Sequence, residues 1–460
     1  MTRLGILTAG GDTPALNATL YGAVRRANAL QVEVYGFIKG FNSLFNPRVP
    51  HVHLNPLFQD IPELDPELGG TILAASRDYL DPNETDVVRQ VCDRLQRLKI
   101  DGLICVGGDG TMNAMQPLCE SLPVVLAPKT IDNDLGLNYR GEPDDWDLDE
   151  GEAPARRRYR HTGVTHPVLD LEQLVNYVTP GFATAVYVAA SGIERVRTTA
   201  ESHRRIAIVE VMGRHSGFIA LGSSYGQPDI VLIPECPINL DRIVERVRAL
   251  YQVQKNVVIV CGEGIVDETG RELGAESKTT DPSGNTILGG AAEALRYRLA
   301  ERLGDKYFRD FRRGSTAREV IFTRKVGHTQ RGGRPLLFDR THAAGLGAKA
   351  VDLLVSGRTN EVATLQWSHD RGFFLDSCPG DGFRDRWGHI HARQVHPSFY
   401  DEEAMKASAA GAEYLLHIFT GAIGHDDVAA IRTTTFAPGN ILQPYHSPNV
   451  DIGRRIQYLD

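Results

Sequence analysis

The stretches DGLICVGGDGTMNAM, residues 101–115, and LPVVLAPKTIDNDL, residues 122–135, decide how this chain folds. Their apolar runs, 103–106 and 122–126, have the length and character of strands buried on both faces of a parallel sheet. Each run ends in residues with chemistry. Gly107-Gly108-Asp109-Gly110-Thr111 follows the first, and Pro128-Lys129-Thr130-Ile131-Asp132-Asn133-Asp134 follows the second. In open α/β sheets, ligands sit beyond the carboxyl ends of the strands. One edge therefore collects a glycine-rich turn, three carboxylates, a lysine and two threonine hydroxyls. That set suits phosphoryl transfer. Glycines let backbone N–H groups close on phosphate oxygens. Carboxylates hold Mg2+ or take the proton of an attacking hydroxyl. Gly and Asp are also ordinary turn residues; it is the second loop beside the first that favours a functional edge.

Working outward, the composition is that of a globular protein of two or three domains. The net charge of -8 disfavours a nucleic-acid partner or an anionic membrane surface. No apolar run is long enough to span a bilayer, and the first residues do not have the layout of a signal peptide. The six cysteines are scattered without CxxC spacing, which fits a reducing cytoplasm and argues against structural zinc. Cys105 and Cys261 sit in apolar runs and read as core residues.

A first strand over 4–7 runs into a glycine turn and a helix reaching Ala29, an arrangement that can cradle phosphate. A second strand is expected at 32–37. The glycine- and aromatic-marked 36–45 reads as a possible purine shelf. The segment 69–77 is led by glycines and ends in Arg77, a cation suited to a phosphoryl group. An amphipathic helix is expected over 84–98. Residues 136–178 carry no period and read as a long surface loop. The βα alternation then restarts, with a helix at 181–198 and strands at 206–211, 229–233, 257–261 and 321–326. This predicts a second α/β domain. Helices are expected at 240–252, 289–302, 339–356 and 402–419. His51, His53, His389 and His391 alternate as in strands and read as surface histidines. The tail 438–460 reads as loop.

In order, the segments GGDTPALNA (10–18), GGTILAASR (69–77), GGDGT, TIDND, AESHRRIAIVEVMGR (200–214), GEG (262–264) and GHTQRGG (327–333) resemble the phosphofructokinase family. GGDGT alone is also similar to NAD kinases and lipid kinases, which lack the other motifs. The resemblance implies an α/β protein of two similar Rossmann-like three-layer domains, with the active site in the cleft between them. It implies residues 1–180 plus about 332–392 for the donor domain, and 181–331 plus about 393–460 for the sugar-phosphate domain. It further implies a cytoplasmic homodimer or homotetramer, MgATP or diphosphate as donor, and fructose 6-phosphate as acceptor. Asp132 would be the base and Asp109 the Mg2+ ligand, while Thr130 and Asp134 orient sugar or base. Gly11, Arg77, Gly108, Gly110, Thr111 and Lys129 would face the donor, and Arg214 the phosphoryl group in flight. Met212, Gly213 and Glu263 would line the fructose site. Arg205, His328 and Arg331 would bind its phosphate or hydroxyls, Arg205 from the neighbouring subunit.

Two positions depart from or divide the pattern. Many relatives have an arginine six residues before the histidine of the last motif, where this chain has Phe322. Arg324, on the same strand face, is the expected substitute. A carboxylate after GGD blocks the nucleotide α-phosphate, and Gly110 leaves it room. Lys129 before TIDND is typical of diphosphate users. The two signals conflict, and Gly110 is given more weight because a steric block is hard to evade. A kinase of another phosphorylated ketose and a non-catalytic sugar-phosphate-binding subunit are the competing readings. The intact TIDND and GGDGT loops argue against the latter.

Overall fold

The structure is a computed structural model, and it describes residues 2–81, 83–148, 159–162, 168–274, 288–309, 311 and 315–459. Strands β1 (Arg3–Thr8), β2 (Glu33–Phe37), β3 (His51–His53), β4 (Gly102–Gly107) and β5 (Val124–Pro128) belong to one sheet. A short hairpin, β6 (Trp146–Leu148) and β7 (Tyr159–His161), follows. β8 (Ile206–Val211), β9 (Ile230–Leu232), β10 (Val257–Gly262) and β11 (Ile321–Lys325) make a second sheet. β12 (Glu361–Ser368) and β13 (Gly372–Pro379) return to the first. The orders are β13-β12-β5-β4-β1-β2-β3 and β11-β8-β10-β9.

The pairings explain the apolar runs. β1, β2, β4, β5 and β12 are parallel, and the antiparallel β3 and β13 close the edges. Along β4, Ile104 and Val106 pack on one face of the sheet, Leu103 and Cys105 on the other. Along β8, Ile206 and Ile208 face one cluster, Ala207 and Val209 the opposite one. Helices cover both faces, so nearly every strand residue must be apolar. The helices Leu16–Ala29 and Leu337–Val355 cross tightly. A Cβ at Gly22 would meet the carbonyl oxygen of Ala344 at 1.9 Å, and one at Gly347 that of Thr19 at 2.1 Å. Only glycine lets those backbones approach so closely.

Several expectations change. Phe37, Phe41 and Leu44 are buried in the core, so 36–45 is not a shelf open to a purine. Val175, Asn176, Tyr177 and Val178 are buried and Val175 pairs with Leu137, so the ends of the 136–178 segment are core rather than surface loop. Residues 149–158 and 163–167 of that segment lie outside the described residues. His51 is buried in β3, and His391 is half-buried, bonded to Asp385 at 2.8 Å and stacked on Trp146. The tail contains the helix Pro448–Arg455, and Gln457 pairs with His51. With Ile452 in the core beside Leu4 and Val52, the last residues pack on the first sheet, not on the second as expected. Apolar Ile452 and Ile456 supply the reason, since both pack on the first unit's core.

Candidate active site

Three turns leave the carboxyl ends of adjacent parallel strands β1, β4 and β5. Ala9 pairs with Ser76, and the Gly10 N–H donates to the Ser76 carbonyl at 2.9 Å. Arg77 is thereby set beside the first glycine turn. Asn17 fixes this arrangement: its Oδ1 accepts from Ile72 N (2.8 Å) and its Nδ2 donates to Leu68 O (3.0 Å). After β4, Thr111 is buried while Asp109 and Gly110 are exposed. Asp109 accepts from the Gly110 N–H at 2.7 Å, and a Cβ on Gly110 would meet nothing within 4 Å. After β5, the buried ammonium of Lys129 donates to the Gly11 carbonyl. Burial, and next the charge of Arg331, bring Lys129 down to about 8.

The TIDND loop is held at its centre. Thr130 Oγ1 accepts from Asp132 N at 3.0 Å. Asn133 has φ 58°, a left-handed conformation that asparagine tolerates. Its Nδ2 donates to Tyr414 Oη at 2.7 Å and its Oδ1 accepts from Thr179 N at 3.0 Å. Asp132 is buried, and its Oδ1 has no hydrogen-bond partner among the described residues. Burial raises its pKa against the opposing pull of Arg331, Arg214 and Lys129. Asp134 is pushed up to about 7 by burial and then by the charge of Asp132.

The opposing wall comes from the second sheet. β8 ends in Val211, and the Met212 N–H donates to Gln330 Oε1 at 3.0 Å. Arg214 N donates to Oε1 of Glu263, the residue after β10, at 3.4 Å. Burial, and next the charge of Asp132, raise Glu263 to about 7. Arg331 reaches across: its Nη1 donates to the Asp12 carbonyl at 3.2 Å. A Cβ on Gly11 would come within 2.5 Å of that nitrogen, so the missing side chain makes the room. The cleft thus brings Gly11, Lys129, Asp132, Asp134, Arg214, Glu263 and Arg331 together, with Met212, Gly213, Thr130, Asp109 and Gly110 on its loops.

Other expected residues lie apart. Arg205 precedes β8, at the end opposite Met212, and the six residues between span about 20 Å. Its guanidinium carbon lies 6.0 Å from the centre of the Phe322 ring. Arg324 is exposed on the edge strand β11, level with Val209, and His328 is exposed in the following turn. Sequence reasoning missed Asp12, Thr179, Gln330, Arg393 and Tyr414. For Gln330 the signal was present, since it lies inside GHTQRGG; Tyr414 lies 281 positions from Asn133 and gave none.

The Phosphofructokinase family model matches residues 3–139 and 173–354. The chain belongs to the phosphofructokinase family. A pyrophosphate--fructose 6-phosphate 1-phosphotransferase of Amycolatopsis methanolica is 34% identical to it, over 79% of this chain and 90% of the relative. An ATP-dependent 6-phosphofructokinase of Natranaerobius thermophilus is 31% identical, over 80% and 90%. ATP-dependent 6-phosphofructokinase 2 of Streptomyces coelicolor is 34% identical, over 79% and 91%. The fold is also that of the pyrophosphate-dependent phosphofructokinase from Marinobacter aquaeolei, with TM-score 0.67, 16% identity and 92% of each chain covered. Members similar to this phosphofructokinase are therefore named for either donor. The family match stops at residue 354, so Arg393 and Tyr414 reach the TIDND loop from outside it.

Proposed function

We propose that this phosphofructokinase transfers a phosphoryl group to the 1-hydroxyl of fructose 6-phosphate, giving fructose 1,6-bisphosphate, with ATP used in preference to diphosphate. The observation that carries the reading is Asp132, a buried carboxyl faced by Arg214, Arg331 and Lys129. Asp132 takes the proton of the 1-hydroxyl as that oxygen attacks, while Arg214 meets the charge of the phosphoryl group in flight. Thr130 and Asp134 orient sugar and base. Met212, Gly213 and Glu263 line the fructose. Gly11, Arg77, Gly108, Thr111 and Lys129 face the donor phosphates, with Arg331 bridging to them. Arg205, Arg324 and His328 serve the 6-phosphate in a cytoplasmic dimer or tetramer, because Arg205 sits at the far end of β8 from its own cleft.

Mg2+ fits Asp109, an exposed carboxylate at the mouth of the glycine turn whose charge is felt by the buried Asp132, itself with an orphaned oxygen. No cluster of three or more His, Cys, Asp or Glu residues is arranged as a metal cage among the described residues. That suits an ion held by one or two carboxylates and substrate phosphates. When bound, it neutralises charge on the donor phosphates.

The open space at Gly110 supports ATP; Lys129 favours the second reading, a diphosphate-dependent enzyme. A coupled assay with each donor tests both. Turnover with diphosphate only overturns the ATP preference. No turnover with either donor overturns the kinase reading and leaves a sugar-phosphate-binding subunit.

A further inference from the structure

We propose that Arg393 is a positioning residue for phosphoryl transfer, holding the TIDND loop and the Arg214 turn in one fixed relation. The proposal rests on the reading of Asp132 as the base. Arg393 is 2% exposed. Its Nε and Nη2 donate to the Asn133 carbonyl at 3.2 and 2.8 Å, and its Nη1 to the Asn176 carbonyl at 2.9 Å. Nη1 and Nη2 also reach the Tyr177 carbonyl, both at 3.3 Å. Its backbone N–H donates to Asp134 O at 2.7 Å, and its carbonyl accepts from Ser216 Oγ at 2.8 Å. The guanidinium lies over the Phe218 ring, 4.8 Å from its centre. Two residues on, Val395 N and Gly217 N both donate to Glu235 Oε1 at 2.8 Å.

One residue therefore grips the loop that carries Asp132 and Asp134, and is itself gripped by the turn that carries Arg214. A buried guanidinium is costly unless its donors are satisfied. A site that needed only filling would accept an apolar side chain. Here the donors converge on carbonyls, above all that of Asn133, the residue between the two acids. Tyr414 supports the same residue, donating at 2.8 Å to the Tyr177 carbonyl that Arg393 also reaches, while accepting from Asn133 Nδ2. Displacing a reacting group by about 1 Å can cost on the order of a hundredfold in rate. Arg393 touches no reacting atom but aligns the base with Arg214, so its effect is expected mostly in turnover and only weakly in sugar affinity.

The experiment compares Arg393→Lys, Arg393→Met, Tyr414→Phe and Asp132→Asn for kcat, for KM of fructose 6-phosphate, and for thermal unfolding. Arg393→Met is expected to lower kcat about a hundredfold with KM within about threefold, and Arg393→Lys to recover part of the loss. Tyr414→Phe keeps the ring in its packing and is expected to lower kcat about tenfold in a folded enzyme. If Arg393→Met does not fold, the other two variants decide. Folded Arg393→Lys and Tyr414→Phe enzymes with kcat within about twofold of wild type, beside an inactive Asp132→Asn, would overturn the positioning role alone. Full turnover by Asp132→Asn would remove the base and the proposal with it.

Discussion

The ammonium of Lys129, after β5, donates to the carbonyl of Gly11, after β1, and so ties together two turns separated by β4 in the sheet. The bond places a cation beneath the first glycine turn, where a Cβ on Gly10 would lie 3.3 Å from the nitrogen. Burial holds that ammonium near the point of losing its proton, at about 8. Below that pH the cation is available to donor phosphates, and above it the charge is lost. The KM for the donor is therefore expected to climb as pH rises past about 8. In Lys129→Met that alkaline rise should be absent and the donor KM raised throughout. A variant that kept the rise would assign it to another group.

Gly110 tests donor choice without disturbing the fold. A side chain there enters open space in the first turn of a helix, where an acidic residue is welcome. Gly110→Asp should leave the unfolding midpoint in place and lower kcat/KM for ATP by about a hundredfold, sparing diphosphate, through like-charge repulsion of the nucleotide phosphates. Unchanged ATP kinetics would show that this position does not face the nucleotide.

Gly11→Ala probes the crossing of Arg331. The new methyl would push against the flexible end of that arginine rather than against backbone, so stability should change by no more than about 1 kcal/mol. Turnover should fall by about tenfold to a hundredfold as the guanidinium leaves the Asp12 carbonyl. Normal turnover would mean that Arg331 acts without that anchor.

Glu263 gives a stability signature with a definite sign. Its carboxyl is raised from 4.5 to about 7, burial being the main cause. Between those values the folded chain keeps a proton that the unfolded chain has released, so wild-type stability falls as pH rises through this window. Glu263→Gln lacks the penalty. Relative to wild type, it should gain about 2–3 kcal/mol between pH 5 and pH 8 in urea unfolding. A difference independent of pH would contradict the buried, proton-holding carboxyl.

Arg340 tests the joint behind the cleft. Its guanidinium pairs with Asp426 and Asp427, and Arg334 pairs with both and with Glu67. Arg340 and Asp427 are nearly buried, but without Arg340 the Asp427 carboxylate keeps Arg334 and the N–H groups of Leu337 and Gly424, so Arg340→Met should cost about 1–3 kcal/mol. A loss below about 1 kcal/mol in chemical unfolding would show that water already reaches the pair.

The cleft's loops were legible because short apolar runs bounded by Gly, Asp and Thr read as buried parallel strands, and two chemistry-bearing turns on one sheet edge favour function over ordinary turns. That logic located the end of β8 and came within two residues of the ends of β4, β5 and β10. It could not show where a long side chain goes. Arg331 was expected beside His328 at the sugar phosphate, yet the vacancy at Gly11 draws it to the Asp12 carbonyl. Local caps also overrule periodicity. The helix expected from 402 begins at Ala409, because residues 400–407 pair as a small hairpin and Ser408 accepts from Gly411 N at 3.1 Å. Arg393 was invisible for a different reason. Its partners are backbone carbonyls up to 260 positions away, and a carbonyl leaves no trace in residue identity.

The tight crossing at Gly22 and Gly347 bears on how the protein is made. The helix Leu16–Ala29 leaves the ribosome more than three hundred residues before its packing partner Leu337–Val355. β5 likewise waits for β12. The strands of the second sheet, all between Ile206 and Lys325, are synthesised in one stretch and can pair while the first sheet is still unfinished. The unit translated first is thus the last to be completed, and its apolar faces stay partly uncovered until residues 337–355 and Ile452 have been made.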